Sequence, residues 1–332
     1  MNRVVVIGAS AGGLEALRLL VSALPKDFAA PVCVVMHTAP QSPGVLAQIL
    51  ARSTALRAVN PRNKQRLQPG HIYVAPPDHH LLTEPGRVCL TKGPHENRFR
   101  PAIDPLFRSA AQVYGPGAVG VILTGNLDDG TAGLWAIKRL GGVAVVQAPE
   151  DALFPSMPES AIAHVEVDHI VPLTEIAPLL ARLVASDAAP TPEVPVPDDM
   201  DIEVRIAKEE NPIDAGLERV STPSSYACPE CHGVLLQLKD AGRIRFRCHT
   251  GHAYSVESLL AAVSEGIEES LWIAIRSLEE GRMLMSRMAE HVKTSHDQDT
   301  AERLLRRAQE VREQSAAIRQ MVSDGQPLTT RA

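Results

Sequence analysis

Val4-Val5-Val6-Ile7-Gly8-Ala9-Ser10-Ala11-Gly12-Gly13-Leu14 combines an apolar run, a glycine-flanked turn and the start of a helical pattern. A continuously apolar run of this kind suits a strand buried on both faces of a parallel sheet. Leu14, Leu17, Val21 and Leu24 then share one helical face. The same alternation recurs downstream, where Val32 to Met36, Val119 to Leu123 and Val143 to Val146 are apolar runs separated by helical patterns. Asp104-Pro105-Leu106 reads as an N-cap with proline at the first helical position, and Gly115 and Gly141 as helix stops. Between His71 and Lys92 the pattern changes to two β-runs about the turn Glu84-Pro85-Gly86, a signature of an antiparallel hairpin. The expected fold over residues 1–186 is therefore α/β, a modified doubly wound and mainly parallel sheet carrying one antiparallel hairpin.

A chain of 332 residues is long for one such unit. Residues Ser186 to Asp199 repeat proline among small and acidic residues, which predicts a Pro-rich linker over 187–222. A small cysteine-rich module is expected over 223–254, and two apolar stripes predict a helical hairpin over 255–323. The first stripe is Leu259, Val263, Ile267, Leu271 and Leu278, and the second runs from Leu304 to Met321. The net charge is −6 and no Lys/Arg stripe is present, so nucleic acid is excluded as a partner. No basic leader precedes Val4 and no apolar stretch reaches membrane-spanning length, which predicts a cytoplasmic protein without membrane insertion.

Chemistry is concentrated at strand ends. Ser10, between Gly8 and Gly12-Gly13, occupies the setting of a nucleophile elbow, with free N–H groups of the helix start available to an oxyanion. A dinucleotide-binding loop also follows a strand, but the second glycine of its Gly-x-Gly-x-x-Gly fingerprint would fall at Ser10. His37 ends the run Val32 to Met36, and Asp129 lies in Leu123-Thr124-Gly125-Asn126-Leu127-Asp128-Asp129-Gly130 after another run. Three strands would thus deliver Ser, His and Asp to one rim, where open α/β sheets bind ligands. A serine hydroxyl needs a base to take its proton, and a carboxylate behind the imidazole holds its tautomer. Asp129 is preferred to Asp128, which could simply cap the helix beginning near Thr131. The chain order Ser, His, Asp differs from that of the α/β-hydrolases. Arg98, Arg100 and Arg108 either steer an acidic substrate or brace the fold.

Val5 to Gly13, Val34 to His37, Arg98 to Ser109, Leu123 to Gly133 and Met157-Pro158-Glu159-Ser160-Ala161 together resemble the catalytic domain of the chemotaxis protein-glutamate methylesterases, the CheB family, over about residues 3 to 184. The resemblance implies a Ser10-His37-Asp129 triad with no cofactor for catalysis. It also implies removal of methyl groups from glutamates of methyl-accepting receptor proteins, often with deamidation of glutamines. The family commonly has threonine where this chain has Ala11 and methionine where it has Asn126. Both positions resemble oxyanion-hole contributors, so Ala11, Gly12 and Asn126, with Arg98 and Arg100, form the expected oxyanion and substrate-binding set. Losing one donor costs about 10² to 10³ in rate, which weakens catalysis without abolishing it. Members under phosphorylation control carry a receiver domain before the esterase. Here Val4 already starts the catalytic sheet, so phospho-aspartate control within this chain is not expected. An esterase acting on a small-molecule ester and a signalling scaffold with a degraded esterase are the alternatives.

Five cysteines include Cys228-Pro229-Glu230-Cys231, followed after 16 residues by Cys248-His249-Thr250-Gly251-His252. Paired thiolates at this spacing predict a structural zinc site. His252 is the expected fourth ligand beside Cys228, Cys231 and Cys248, resembling the Cys-x-x-x-His ending of zinc-ribbon extensions on some relatives of the family, and His249 is its competitor. Cys33 and Cys89 lie in apolar runs and are expected to be inert core residues. Met283, Met285 and Met288 give the helical tail an adaptable face. Packing between the two helices is the first expectation for it, and docking of a methyltransferase or sensor partner the second.

Overall fold

The apolar runs become the centre of a seven-stranded sheet in the computed structural model, which describes residues 3–186, 195–239, 243–294 and 297–324. Strands β1 (Val4–Ala9), β2 (Val32–Met36), β3 (Arg57–Val59) and β4 (His71–Val74) fill one side. Beyond the hairpin strands β5 (His80–Glu84) and β6 (Arg87–Thr91), β7 (Ala118–Ile122), β8 (Val143–Gln147) and β9 (His169–Val171) fill the other. All pairings within the order β3-β4-β2-β1-β7-β8-β9 are parallel. The hairpin forms a two-stranded sheet of its own, while His71–Val74, read with it from sequence, joins the parallel sheet beside β2.

Helices cover both faces, which is why these strands read as unbroken apolar runs. Val5 and Ile7 face one core with α1 (Gly13–Ser22), α2 (Leu46–Ala51) and, later in the chain, α6 (Leu173–Ala185). Val4 and Val6 face the other with α3 (Ile103–Tyr114), α4 (Thr131–Arg139) and α5 (Ser156–His164). Gly115 ends α3 at φ 47°, and Gly141, at φ 81°, follows Leu140, the C-cap of α4. Asp104, expected as an N-cap, sits one residue inside α3 and accepts instead from the N–H groups of Gly130 and Gly133 at the start of α4. Cys33 is fully buried, and burial pushes its thiol up to about 12, while Cys89 is buried and raised for the same reason.

The expected linker is largely folded. Residues 187–194 lie outside the described residues, but 198–222 build α7 (Asp198–Ala207) and the short α8 (Pro212–Ala215), and α7 packs on α3. The acidic composition that suggested a solvated spacer conceals Met200, Ile202, Val204 and Ile206, all buried, on different sides of the helix and in separate apolar clusters. The cysteine-rich segment is an antiparallel meander of β10 (Ser221–Ala227), β11 (Val234–Leu238), β12 (Arg245–Cys248) and β13 (Ala253–Ser255). Instead of forming an independent module, it belongs to the same compact unit as the sheet, which ends at Ser258. The joint is ionic. Arg247, with no exposed surface, donates to Glu96 at 3.0 Å and to Glu203 of α7 at 2.9 Å, Arg245 donates to Glu203 at 2.7 Å, and Arg108 of α3 pairs with Glu96. Arg108 therefore braces the fold.

A second compact unit begins at Leu259, within α9 (Val256–Thr294), and includes α10 (Gln298–Asp324). The two helices pair antiparallel, with Ser315 donating to Glu279 at 2.8 Å and Ile275, Ala289, Ala301, Ala308 and Val311 buried.

Candidate active site

Adjacent strands β2, β1 and β7 bring His37, Ser10 and the Asp129 loop to one rim. This is where the strand order reverses, since the chain moves from β1 to β2 on one side and to β7 on the other. Hydrogen bonds fix the turn after β1: Ser10 N–H donates to Thr124 O at 3.0 Å, and the Thr124 hydroxyl donates to Ala11 O at 3.0 Å. Gly12 caps α1 at φ 73°, a left-handed conformation that favours glycine. Gly125 leaves room for Ser10, because a Cβ there would lie 2.8 Å from the serine Cβ.

The side chains meet in a relay. Ser10 Oγ lies 3.0 Å from His37 Nδ1, and His37 Nε2 lies 2.7 Å from Asp129 Oδ2. Nε2 therefore carries the proton shared with the carboxylate, and Nδ1 is left as acceptor for the hydroxyl. The nitrogens are exchanged relative to the chymotrypsin arrangement, in which Nδ1 faces the carboxylate. Phe99 stacks on the imidazole with centroids 3.8 Å apart and planes within 5°.

Asp129 is buried and surrounded by donors: Ile103 N–H at 2.7 Å, the Asn97 amide at 2.9 Å and Gly130 N–H at 3.0 Å. Burial alone would raise this carboxyl, but the hydrogen bond and charge of His37, with Ile103 and Asn97, hold it below its ordinary value. Burial and then the Asp129 charge raise Asp104 to about 7, and burial and then Glu257 push Asp128 well up. Asp128 turns away from the imidazole and accepts from the Ser255 hydroxyl at 2.7 Å.

The remaining expected residues divide. Among the described residues, the N–H groups of Ala11 and Gly12 have no hydrogen-bond acceptor, and they open the N-terminus of α1 beside Ser10. Asn126 is exposed on the loop before α4. Arg100 is committed to Asp78, at 2.9 and 2.6 Å, and to the carbonyls of Lys92 and Gly93, which braces the hairpin. Arg98 is half-buried at φ 74°. Sequence reasoning missed Asn97 and Phe99 as parts of the site, although Phe99 lies inside one of the motifs carrying the resemblance and Asn97 directly precedes it.

Residues 5–180 match the model of the CheB methylesterase family. The chain belongs to this family. It is 41% identical over 180 residues to a Leptospira interrogans protein provisionally named protein-glutamate methylesterase/protein-glutamine glutaminase, covering 54% of this chain and 93% of that one. It is 39% identical to protein-glutamate methylesterase/protein-glutamine glutaminase 2 of Anaeromyxobacter dehalogenans, of which it spans 53%. The crystal structure of the Thermotoga maritima CheB methylesterase catalytic domain superposes with a TM-score of 0.53 at 34% identity, covering 55% of this chain and 99% of that one.

The cysteine cluster lies beyond the CheB match. Cys228, Cys231, Cys248 and His252 bring one ligand atom each within 4.8 Å of one another, so they can hold a metal ion. Cys231 Sγ to Cys248 Sγ, Cys228 Sγ to His252 Nδ1 and Cys248 Sγ to His252 Nδ1 are each 3.6 Å. A tetrahedral ion with metal–sulfur bonds of about 2.3 Å needs ligand separations of about 3.5 to 3.8 Å, which these pairs satisfy. His252 Nε2 faces Glu230 at 3.4 Å, the carboxylate–histidine pairing that orients metal-ligating imidazoles. His249 is exposed and outside the cluster.

Proposed function

We propose that this chain is a serine esterase that hydrolyses methyl esters of glutamyl side chains on receptor-type proteins and deamidates glutamines at the same site. The observation that carries the reading is the unbroken relay from the Ser10 hydroxyl through His37 to buried Asp129. His37 Nδ1 takes the hydroxyl proton as Ser10 Oγ attacks the ester carbonyl, and Asp129 stabilises the imidazolium. The developing oxyanion is held by the N–H groups of Ala11 and Gly12, aided by the α1 dipole. Collapse breaks the bond to methoxide, which leaves as methanol with the proton from Nδ1. Water, deprotonated by the same nitrogen, then cleaves the acyl-serine and restores the hydroxyl. With a glutamine substrate the leaving group is ammonia.

Methanol release from receptors carrying labelled methyl esters tests the reading. Ser10→Ala should lower kcat by about 10⁴-fold or more, and equal release by both proteins would overturn it.

We further read the four-ligand cluster as structural zinc, because three cysteines and one histidine would leave no open position for a reacting molecule. A cytoplasmic location accords with cysteines read as metal ligands or buried thiols in place of disulfides, and no described helix is long and apolar enough to cross a membrane. Exposed Trp272, Ile273, Met283 and Met288 on α9 support a docking role for the helical pair, toward a methyltransferase or sensor partner.

A further inference from the structure

A continuous set of contacts joins the cysteine cluster to the triad. Glu230, which faces the Nε2 of His252, also accepts from His95 Nδ1 at 2.6 Å and from the Tyr254 hydroxyl at 2.7 Å. The segment around His95 pairs with β13: Ala253 N–H donates to His95 O at 3.1 Å, and Asn97 N–H donates to Ala253 O at 2.8 Å. Asn97 is then held from both sides. Its carbonyl accepts from Ser255 N–H and from the Ser258 hydroxyl, both at 3.0 Å. Its amide donates to Asp129 at 2.9 Å and to Asp104 at 3.0 Å. Asn97 sits at φ 49°, a left-handed conformation that asparagine adopts more readily than other non-glycine residues.

We infer that metal loading of the Cys228-Cys231-Cys248-His252 site sets the activity of the triad, with Asn97 as the positioning residue that carries the effect from β13 to Asp129. The inference rests on the esterase and zinc readings above. The four ligands tie the β10–β11 turn, which carries Cys228 and Cys231, to the end of β12 and the turn after it, which carry Cys248 and His252, and β13 follows His252 directly. A filled site fixes β13, β13 fixes the main-chain N–H and the side-chain carbonyl of Asn97, and the Asn97 amide fixes the carboxylate that orients His37. An empty site loosens the turn from Cys248 to His252, and the triad loses one of the donors that position Asp129. The ribbon thus makes the esterase respond to a thiolate-binding cation, although no ribbon residue touches the reacting atoms.

The test uses the full chain, zinc content by elemental analysis, and two readouts: the rate of Ser10 labelling by a fluorophosphonate, and kcat and KM for 4-nitrophenyl acetate. Stripping zinc with a mercurial and a chelator should slow labelling about 10-fold or more, and added Zn²⁺ should restore it. Metal-loaded Asn97→Ala should lose about 10- to 100-fold in kcat at unchanged KM, and stripping it should lower kcat no further. Ser258→Ala, which removes one donor to Asn97, should lose about 3-fold in kcat and keep its metal response.

Equal labelling of stripped and loaded wild-type protein, or wild-type kcat in Asn97→Ala, would overturn the inference alone. Should stripping unfold the whole protein, Cys231→Ser, which keeps three ligands, decides the metal arm, and wild-type labelling of that variant at reduced zinc content would overturn the inference. Labelling that survives Ser10→Ala would overturn the esterase reading itself, and failure of the purified chain to contain or take up zinc would overturn the metal site and the inference with it.

Discussion

The seven-stranded sheet and the four-stranded ribbon belong to one compact unit, yet they are held by different physics. The sheet is held by apolar area: Val4 to Ile7 and Val32 to Val35 have no exposed surface, and helices pack on both faces of these central strands. The ribbon buries a smaller apolar set, with Leu238 packed against Ile202 and Ile206 of α7, and it is joined as well through buried Glu96 and Glu203 to Arg108, Arg245 and Arg247. Burial of apolar surface tolerates small changes, whereas an ion cluster out of water depends on every partner, because removing one leaves the opposite charge stranded. The sheet should therefore fail gradually and the ribbon at single residues.

Four experiments press on this contrast. Asp129→Asn leaves the apolar sheet intact but supplies the wrong hydrogen-bonding partner to His37 Nε2, so kcat should fall by about 10⁴-fold with Tm nearly unchanged. A large drop in Tm would show that the rim, too, depends on single polar residues. Glu203→Ala should destabilise the protein by about 3 to 5 kcal/mol, since it strips partners from Arg245 and Arg247. Limited proteolysis should then cut within 210–250 before the sheet is attacked, and simultaneous loss of both regions would remove the distinction.

A buried histidine beside the sheet is acid-sensitive. His80 is fully buried, accepts from Ala102 N–H through Nδ1 and bonds Pro94 O through Nε2. Burial lowers it to about 4, against an unfolded value near 6.5. A histidine with a depressed folded value stabilises the protein above the unfolded value and loses that contribution as pH falls. About 3 kcal/mol should be lost between pH 6.5 and pH 4, and His80→Gln should flatten that part of the curve in urea titrations. Phe99→Ala removes the ring stacked on His37 and should cost about 1 kcal/mol in transition-state stabilisation, about fivefold in kcat. An unchanged kcat would mean that Asp129 alone orients the imidazole.

The same contrast explains what could be read from the sequence. Ser10, His37 and Asp129 stand at the ends of apolar runs, and period and order along the chain carry that information locally. The cysteines were legible for the same reason, since spacing within a knuckle is local. The ribbon's attachment was hidden because its partners lie far apart: Glu96 meets Arg247 across 151 positions. Nothing near Glu203 marks it as buried, and the acidic run Asp198-Asp199-Met200-Asp201 around the start of α7 reads as solvated linker. Asn97 was missed because its role comes from neighbours drawn from α3, the Asp129 loop and β13 at once.

The imidazole at position 37 is clamped at its far nitrogen by a carboxylate and covered on one face by a phenyl ring. A half-turn about its Cβ–Cγ bond would present a carbon to the serine and another carbon to Asp129, losing both hydrogen bonds together. The ring thus has a single useful orientation, and the proton arriving from the hydroxyl always lands on the nitrogen nearer the main chain. Nitrogen-15 resonances of that one side chain should therefore distinguish resting enzyme from imidazolium without ambiguity between the two ring positions.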